Sequence, residues 1–227
     1  QQVELKPLDK MEYPTTLQIL KEPAVDWVVL KTGKVIVCEP IIPRPGTLEL
    51  LVQGLKDSSK KPIPPGKEGE DERRRRAGLN YLNLTLLQGE QREFRVHTRH
   101  VQEIIYFEEL VLRRVDQLIA LNETFEAYDL LVLVQTRSPN WPGMTPREET
   151  LLQAEVNLRL KEQNLEQALV LLEEIHSRNP NFGGLKLQLG NVADTLIGSA
   201  VSIKDYRRAR HFLNRLKRRE PTHAIVA

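Results

Sequence analysis

The sequence is short of cysteine, of net charge and of long apolar runs, and each shortage excludes a class of protein. Cys38 is the single cysteine, so an internal disulfide framework and a multi-cysteine metal site are both excluded. No apolar run reaches the roughly 18–20 residues of a transmembrane helix. The formal net charge is +2, so binding to nucleic acid or to an anionic membrane would need a local basic patch.

Length and composition are those of a globular protein with one large domain or two modest ones. The chain has 227 residues, of which 40% are hydrophobic and 28% charged. We predict an α+β protein with a small β domain over residues 1–105 and a helical-repeat domain over residues 106–227. The sequence opens at Gln1 without a methionine. We interpret this start either as the result of signal-peptide removal or as a boundary cut from a longer sequence.

The first hundred residues carry short strand patterns. Residues 1–25 are predicted to be an extended lead-in, and Gly33 is placed in a tight turn between two strands because that position needs a positive φ. Further strands are expected near residues 48–52, 81–86, 94–96 and 101–105. About five short strands with no helix between them favour a small bent sheet or barrel of the SH3-like or Sm-like kind.

A polar segment interrupts this β region between residues 56 and 78. It is rich in proline and charge and includes four consecutive arginines, Arg73, Arg74, Arg75 and Arg76. Such a composition cannot bury enough apolar surface to offset the entropy lost on ordering, so we predict a mobile basic loop. The arginines are suited to phosphate, but neighbouring acidic residues partly cancel them, which favours a solvated loop.

The second half of the chain repeats with a period of 41 residues. Arg137, Arg178 and Arg219 are each followed by a proline two positions later. Columns of small and apolar residues keep the same spacing: Ala127, Ala168 and Ala209; Leu130, Leu171 and Phe212; Leu131, Leu172 and Leu213; Val134, Ile175 and Leu216. A fixed period in this range predicts stacked helical hairpins, each of which buries its apolar face against its neighbours.

Six helices account for the period, near residues 107–121, 125–137, 145–163, 165–178, 185–200 and 206–216. Thr145 is predicted as the N-cap of the third, with Pro146 at its first position. The repeated proline ends a helix because its ring disfavours an α conformation in the residue before it. The arginine ahead of that proline lies in the last turn and complements the helix dipole. An arginine cluster that binds a ligand is the alternative interpretation.

The interval of twelve residues from the repeated alanine to the proline resembles the second helix of a tetratricopeptide repeat. The resemblance covers about residues 107–223 and implies a right-handed array of three helical hairpins. The chain departs from that family in its period, which is 41 rather than about 34 residues. It also lacks the tryptophan and glycine signature of the first helix.

The sequence favours a protein that is not an enzyme and that holds no metal or cofactor, because it lacks the usual catalytic and metal-binding patterns. His97 and His100 are the only close histidine pair, and on one strand they would point to opposite faces. The adjacent glutamates of the helices splay across the surface instead of forming an acid–base couple. Phosphate-binding glycine loops, nucleophile elbows and zinc-protease helices have no counterpart in the sequence.

Two sets of residues are candidates for contact with a partner. Trp141, Phe182 and His223 each stand two residues after a repeat proline, so they either pack onto the next hairpin or form a row of peptide contacts. The last predicted helix carries a basic face that includes Arg207, Arg208, Arg215 and Arg218. This face could follow a phosphate backbone, cover the end of the array, or pack against an acidic domain.

A further resemblance rests on six stretches, residues 27–35, 37–40, 43–45, 104–108, 205–209 and 219–221. Together they look similar to an accessory region that precedes the ligand-binding domain in large bacterial extracellular solute-binding proteins of the peptide-transport type. The resemblance implies an exported, periplasmic or envelope-associated interaction module. Its partner would be a protein or peptide, or a solute-binding domain of the same chain. The alternative function is a cytoplasmic nucleic-acid-associated adaptor that uses the last helix and Arg73–Arg76.

Overall fold

The computed structural model describes residues 5–42, 44, 81–87 and 92–226. The chain divides into two compact units, of which the first comprises residues 1–114 and 132–142 and the second residues 115–131 and 143–227. Within the described residues the fold is α+β, as predicted. The strand predicted at residues 48–52 and the basic loop at residues 56–78 lie outside the described residues. In the part that is described, no helix is long and apolar enough to cross a membrane.

The strands of the first unit form antiparallel pairs. Their order in the larger sheet is β1-β3-β2-β6, and β4 pairs with β5. The strand bounds are Lys6–Pro7 for β1, Asp26–Leu30 for β2, Lys34–Cys38 for β3, Tyr81–Thr85 for β4, Glu93–His97 for β5 and Val101–Ile105 for β6. Gly33 has a φ of 76° in the turn between β2 and β3, which confirms its predicted role.

The two sheets are joined where β3 ends. Cys38 forms an isolated antiparallel bridge with Leu86, and the Glu39 backbone N–H donates to the Thr85 carbonyl at 2.8 Å. A 3-10 turn over Thr98–His100 then leads from β5 into β6, which pairs with β2. Inward-facing residues of all these strands form one core: Val28, Ile36, Cys38, Leu82, Leu84, Leu86, Val96, Val101 and Tyr106.

The prediction of an extended lead-in over residues 1–25 was wrong in part. Besides β1, this segment contains a 3-10 turn over Leu8–Lys10 and a helix α1 over Thr16–Lys21. Thr15 and Gln18 form a reciprocal capping box at the start of α1. The helix is only six residues long and buries only Ile19, so its apolar periodicity is too short to stand out in the sequence.

Six longer helices follow. Their bounds are Phe107–Ala120 for α2, Thr124–Arg137 for α3, Met144–Lys161 for α4, Leu165–Arg178 for α5, Leu185–Ser202 for α6 and Tyr206–Arg219 for α7. The helices α3, α5 and α7 end at the repeated arginines, which confirms the predicted stop. Thr145 is not the N-cap of α4, because the helix begins one residue earlier, after Gly143 with a φ of 83°. Pro146 still lies in the first turn, where the missing N–H costs no hydrogen bond.

The period of 41 residues extends to the backbone conformation. Asn122, Gln163 and Lys204 all have a positive φ, of 62°, 59° and 62°. Each lies in the turn after α2, α4 or α6, and the next residue donates its backbone N–H to a carbonyl five residues earlier at 2.8–2.9 Å. This 6→1 bond is that of a Schellman-type helix end. The repeat is therefore a property of the hydrogen bonds as well as of the side-chain columns.

The predicted columns are largely buried. Ala127, Ala168 and Ala209 are all buried, and so are Val134, Ile175 and Leu216. In the second unit α5 packs against α4 and α6, and α6 packs against α7. Small side chains in the alanine column allow close approach of neighbouring helices. The columns thus form the seam that the sequence predicts, except that Leu171 and Leu213 are only half-buried.

Candidate interaction surface

The helix α7 is strongly amphipathic. Asp205 caps its start by accepting a hydrogen bond from the Arg208 backbone N–H at 3.0 Å. Ala209, Phe212 and Leu216 form its buried face. Most of its other side chains are basic, so packing of the apolar face directs a dense set of positive charges outward.

Two of these arginines pair with carboxylates of α5, Arg215 at a half-buried site and Arg208 at an exposed one. Arg215 donates to both carboxylate oxygens of Glu173 on α5, from Nε at 2.9 Å and from Nη2 at 2.8 Å. Arg208 forms an ion pair with Glu166, also on α5, and its guanidinium lies 5.8 Å from the centre of the Phe212 ring. Both arginines therefore contribute to the packing of α7 on the preceding helices.

On the side of α7 opposite to its buried face, four basic side chains are exposed and have no ion-pair partner among the described residues: Arg207, Arg210, His211 and Arg218. We call these four and the exposed Asn214 the α7 stripe. At about 100° of rotation per residue, these five positions fall within an arc of roughly 100° on the side opposite to the buried face. With Tyr206, four of them line a shallow surface concavity of about 410 Å³. The stripe includes no acidic residue.

The predicted basic face included Arg207, Arg208, Arg215 and Arg218, and the structure divides these residues into two pairs. Arg208 and Arg215 have internal carboxylate partners, whereas Arg207 and Arg218 belong to the α7 stripe. The division depends on which side of α7 approaches α5, and charge counting along the sequence does not show it. Arg73, Arg74, Arg75 and Arg76 lie outside the described residues.

The other candidate column, Trp141, Phe182 and His223, is half-buried in all three copies. The Trp141 ring meets the ring of Tyr106 edge-on, with centroids 5.5 Å apart. Phe182 packs against the core of the second unit. The His223 imidazole lies against α6 at Gly190. Part of each ring is therefore occupied by contacts within its own unit.

The first unit contains a buried ionic cluster that sequence reasoning missed. The guanidinium of Arg44 donates to both oxygens of the fully buried Asp26, at 2.9 and 3.1 Å, and also pairs with Glu108. Asp26 in addition accepts the backbone N–H of Ile41 at 2.7 Å and that of Phe107 at 2.8 Å. One carboxylate thus ties the end of β3, the start of α2 and Arg44 together.

The pKa of Glu108 in this cluster and the pKa values of two groups beside it are shifted in opposite directions. Burial by itself would raise the pKa of Glu108, but hydrogen bonds from Arg44, its own backbone N–H and Ser138 outweigh burial and lower it. Burial, together with the nearby charge of Asp26, raises the pKa of Tyr106 to about 12. The same causes raise the pKa of Cys38 to about 12. Glu108 is thereby held as an anion, and the phenol and thiol as neutral groups.

The prediction that His97 and His100 lie on one strand was wrong. The strand β5 ends at His97, and the following 3-10 turn brings the two rings to a centroid distance of 6.0 Å. His97 Nδ1 accepts the Arg99 backbone N–H at 3.2 Å, so one nitrogen is occupied. Within residues 5–42, 44, 81–87 and 92–226, no three histidine, cysteine or acidic side chains form a group that could hold a metal ion.

The chain matches no protein-family model, no curated protein and no solved structure at a significant level.

Proposed function

We propose that this chain is a non-catalytic protein–protein interaction or scaffolding module of an exported bacterial protein, attached to a peptide-type solute-binding protein. The described ionisable groups support this proposal because they pair with one another. Asp26, Arg44 and Glu108 form one internal cluster, and Arg208 and Arg215 form ion pairs between helices. They stabilise packing instead of converging on an open cleft.

Both parts of the proposed architecture have support in the element order. In the first unit β2 pairs with β3, the end of β3 contacts the end of β4 through the Cys38–Leu86 bridge, and β4 pairs with β5. After a 3-10 turn, β6 pairs with β2. This order supports an SH3-like barrel. Helix pairs with a repeating turn every 41 residues support a tetratricopeptide-like array. Both kinds of fold present surfaces to partners.

The observation that carries the proposal is a set of large apolar side chains exposed at the turns within the helix pairs. Phe125 at the first turn is 82% exposed, Ile203 at the third turn is 66% exposed, and Tyr206 beside it is 62% exposed. Leu121 and Ile203 occupy equivalent positions two periods apart, since 203 − 121 = 82. The equivalent position of the second turn is Glu162, so the exposed apolar residues group at the first and third turns. Grouped exposed apolar side chains are typical of a contact surface.

Site-specific photo-crosslinking tests the proposal. A photoreactive residue is placed at Phe125 or at Ile203 in cells that make the protein naturally, and the adducts are identified by mass spectrometry. Leu17 on α1, which is 60% exposed, provides the matched control. We expect one discrete adduct with an envelope or transport protein at the two turn positions and not at Leu17. Equal adducts at all three positions, or none, would contradict the proposal.

A second candidate is the cytoplasmic nucleic-acid adaptor. The observation that favours it is the charge of the α7 stripe, whose arginines pair with no carboxylate of the described residues. Binding to a phosphate backbone would weaken steeply as salt is raised, because counterions are released on binding. An oligonucleotide titration at several salt concentrations is the test. Lack of binding at low salt would eliminate this candidate.

A further inference from the structure

We propose that the α7 stripe is the docking site for an acidic helical segment of a partner protein, whose carboxylates pair with Arg207, Arg210 and Arg218. This inference rests on the proposed interaction function and specifies its surface and the chemistry of the partner. It begins from charge. Three arginines lie within three turns of one helix face, with no acidic residue beside them on that face and no ion-pair partner among the described residues.

An arginine of the same helix already binds a carboxylate in the way that we propose for the stripe. Arg215 binds Glu173 with Nε and Nη2, the planar two-donor arrangement that fits a carboxylate. This pair connects two helices within the fold. Arg207, Arg210 and Arg218 carry the same donors toward solvent, where a glutamate or aspartate of another helix can accept them in the same way.

The repeat indicates that the partner segment is a helix. Arg210 stands 41 residues after Leu169, which is fully buried in one core with Leu185 and Leu189 of α6. The position that α6 covers on α5 is exposed on α7, where none of the described residues covers Arg210. A partner helix lying there would continue the packing of the array, with carboxylates in place of the leucines.

The length of the stripe is also suited to this partner. From Arg207 to Arg218 it covers twelve residues, or roughly 16 Å at about 1.5 Å of rise per residue, which is about three helical turns. Among the described residues that line the concavity, Tyr206 and His211 carry the rings, whereas a surface for single-stranded nucleic acid stacks successive bases on several large aromatic rings. The observations therefore favour protein carboxylates over phosphates.

Two variants of α7 with the same change of charge provide the test. R207Q/R210Q removes two unpaired arginines of the α7 stripe, and R208Q/R215Q removes the two internally paired ones. The probe is a fluorescent 15-residue helical peptide with glutamates along one face, compared with a scrambled peptide of equal composition and with a 15-nucleotide DNA strand. Anisotropy titrations at low salt give the affinities, and far-UV circular dichroism verifies that each variant is folded.

We expect the wild type and R208Q/R215Q to prefer the patterned peptide, and R207Q/R210Q to lose about tenfold or more in affinity. An equal loss of affinity in both variants would show that only the net charge of α7 matters, and it would overturn the proposal. Absence of peptide binding, or tighter DNA binding that disappears in R207Q/R210Q, would also overturn it. Should R207Q/R210Q fail to fold, R218Q replaces it with the same expected direction.

Self-association is a further outcome that would overturn the proposal. If the wild type oligomerises in sedimentation experiments and R207Q/R210Q does not, the occupant of the stripe is a second copy of this chain. Failure of the docking proposal is distinguishable from failure of the interaction function. Protein adducts at Phe125 and Ile203 without peptide binding would remove only the docking site, whereas absence of both would remove the function as well.

Discussion

The imidazole of His223 occupies the space above Gly190 that a side chain would need. A β-carbon at Gly190 would lie 2.9 Å from His223 Cδ2, closer than van der Waals contact allows. The two earlier repeats place Glu108 and Glu149 at this position, where they accept hydrogen bonds from Ser138 and Asn179. The third repeat exchanges that hydrogen bond for a ring packed on glycine.

This relationship predicts a coupling between the two residues. Alanine favours a helix over glycine by about 1 kcal/mol, so Gly190→Ala is expected to stabilise a chain that already carries His223→Ala. With His223 present, the same change displaces the ring, and we expect the gain to disappear or reverse. A double-mutant cycle followed by far-UV circular dichroism in urea measures the difference. Equal effects of Gly190→Ala in both backgrounds would show that the ring does not depend on the glycine.

Removal of Arg44 is expected to destabilise the first unit by about 3–5 kcal/mol, because Arg44→Ala leaves the carboxylates of Asp26 and Glu108 buried without their cation. Trp27 and Trp141 are the two tryptophans of the chain and both lie in this unit, so tryptophan fluorescence in urea reports its unfolding. Arg92→Ala is the control, since Arg92 pairs with Glu39 at an exposed site and is expected to cost about 0–1 kcal/mol. Similar small losses in both variants would contradict a stabilising role for the cluster.

The lowered pKa of Glu108 predicts acid sensitivity of the first unit. An unfolded glutamate has an ordinary pKa of 4.5 and the pKa of the folded Glu108 carboxyl lies below it, so the unfolded chain binds the extra proton first. The contribution of the ionised Glu108 to the free energy of unfolding is therefore complete above pH 4.5 and is lost as the pH falls through the pKa of the folded state. We expect the stability difference between wild type and Glu108→Gln to shrink in this range. A difference that stays constant down to low pH would contradict the shift, and Glu109→Gln, beside the half-exposed Arg113, is the neighbouring control.

The thiol of Cys38 is predicted to be inert in the folded protein. It is fully buried, and burial together with Asp26 raises its pKa to about 12, so little thiolate forms near neutral pH. A chromogenic disulfide reagent at pH 8 should react with the thiol only as the first unit unfolds in urea. The reaction is expected to follow the tryptophan fluorescence, and to be faster in Arg44→Ala at the same urea concentration. Rapid reaction with the native protein would show that this core is open.

Much of the helical half could be predicted because its signals are local. The stop at Arg178 follows from Pro180 through the steric restriction on the preceding residue, and the buried alanine column follows from the period of 41 residues. Thr145 was misplaced as an N-cap because Gly143, with its positive φ, begins the helix earlier. The turn residue Gln163 shows the opposite limit: its positive φ is set by the Schellman-type bond, and its residue type does not suggest it.

The candidate sites depend on contacts between residues that are distant in the sequence. Arg44 meets Glu108 across 64 positions, and the Phe107 backbone meets Asp26 across 81, so no local pattern indicates the cluster. The repeat, the helix ends and the basic character of α7 follow from the sequence because propensity, proline sterics and composition act over a few residues. Packing between distant residues determines that Arg215 pairs with Glu173, whereas Arg210 is exposed and pairs with none of the described residues. That choice depends on which face of α7 the buried Phe212 and Leu216 turn toward the core.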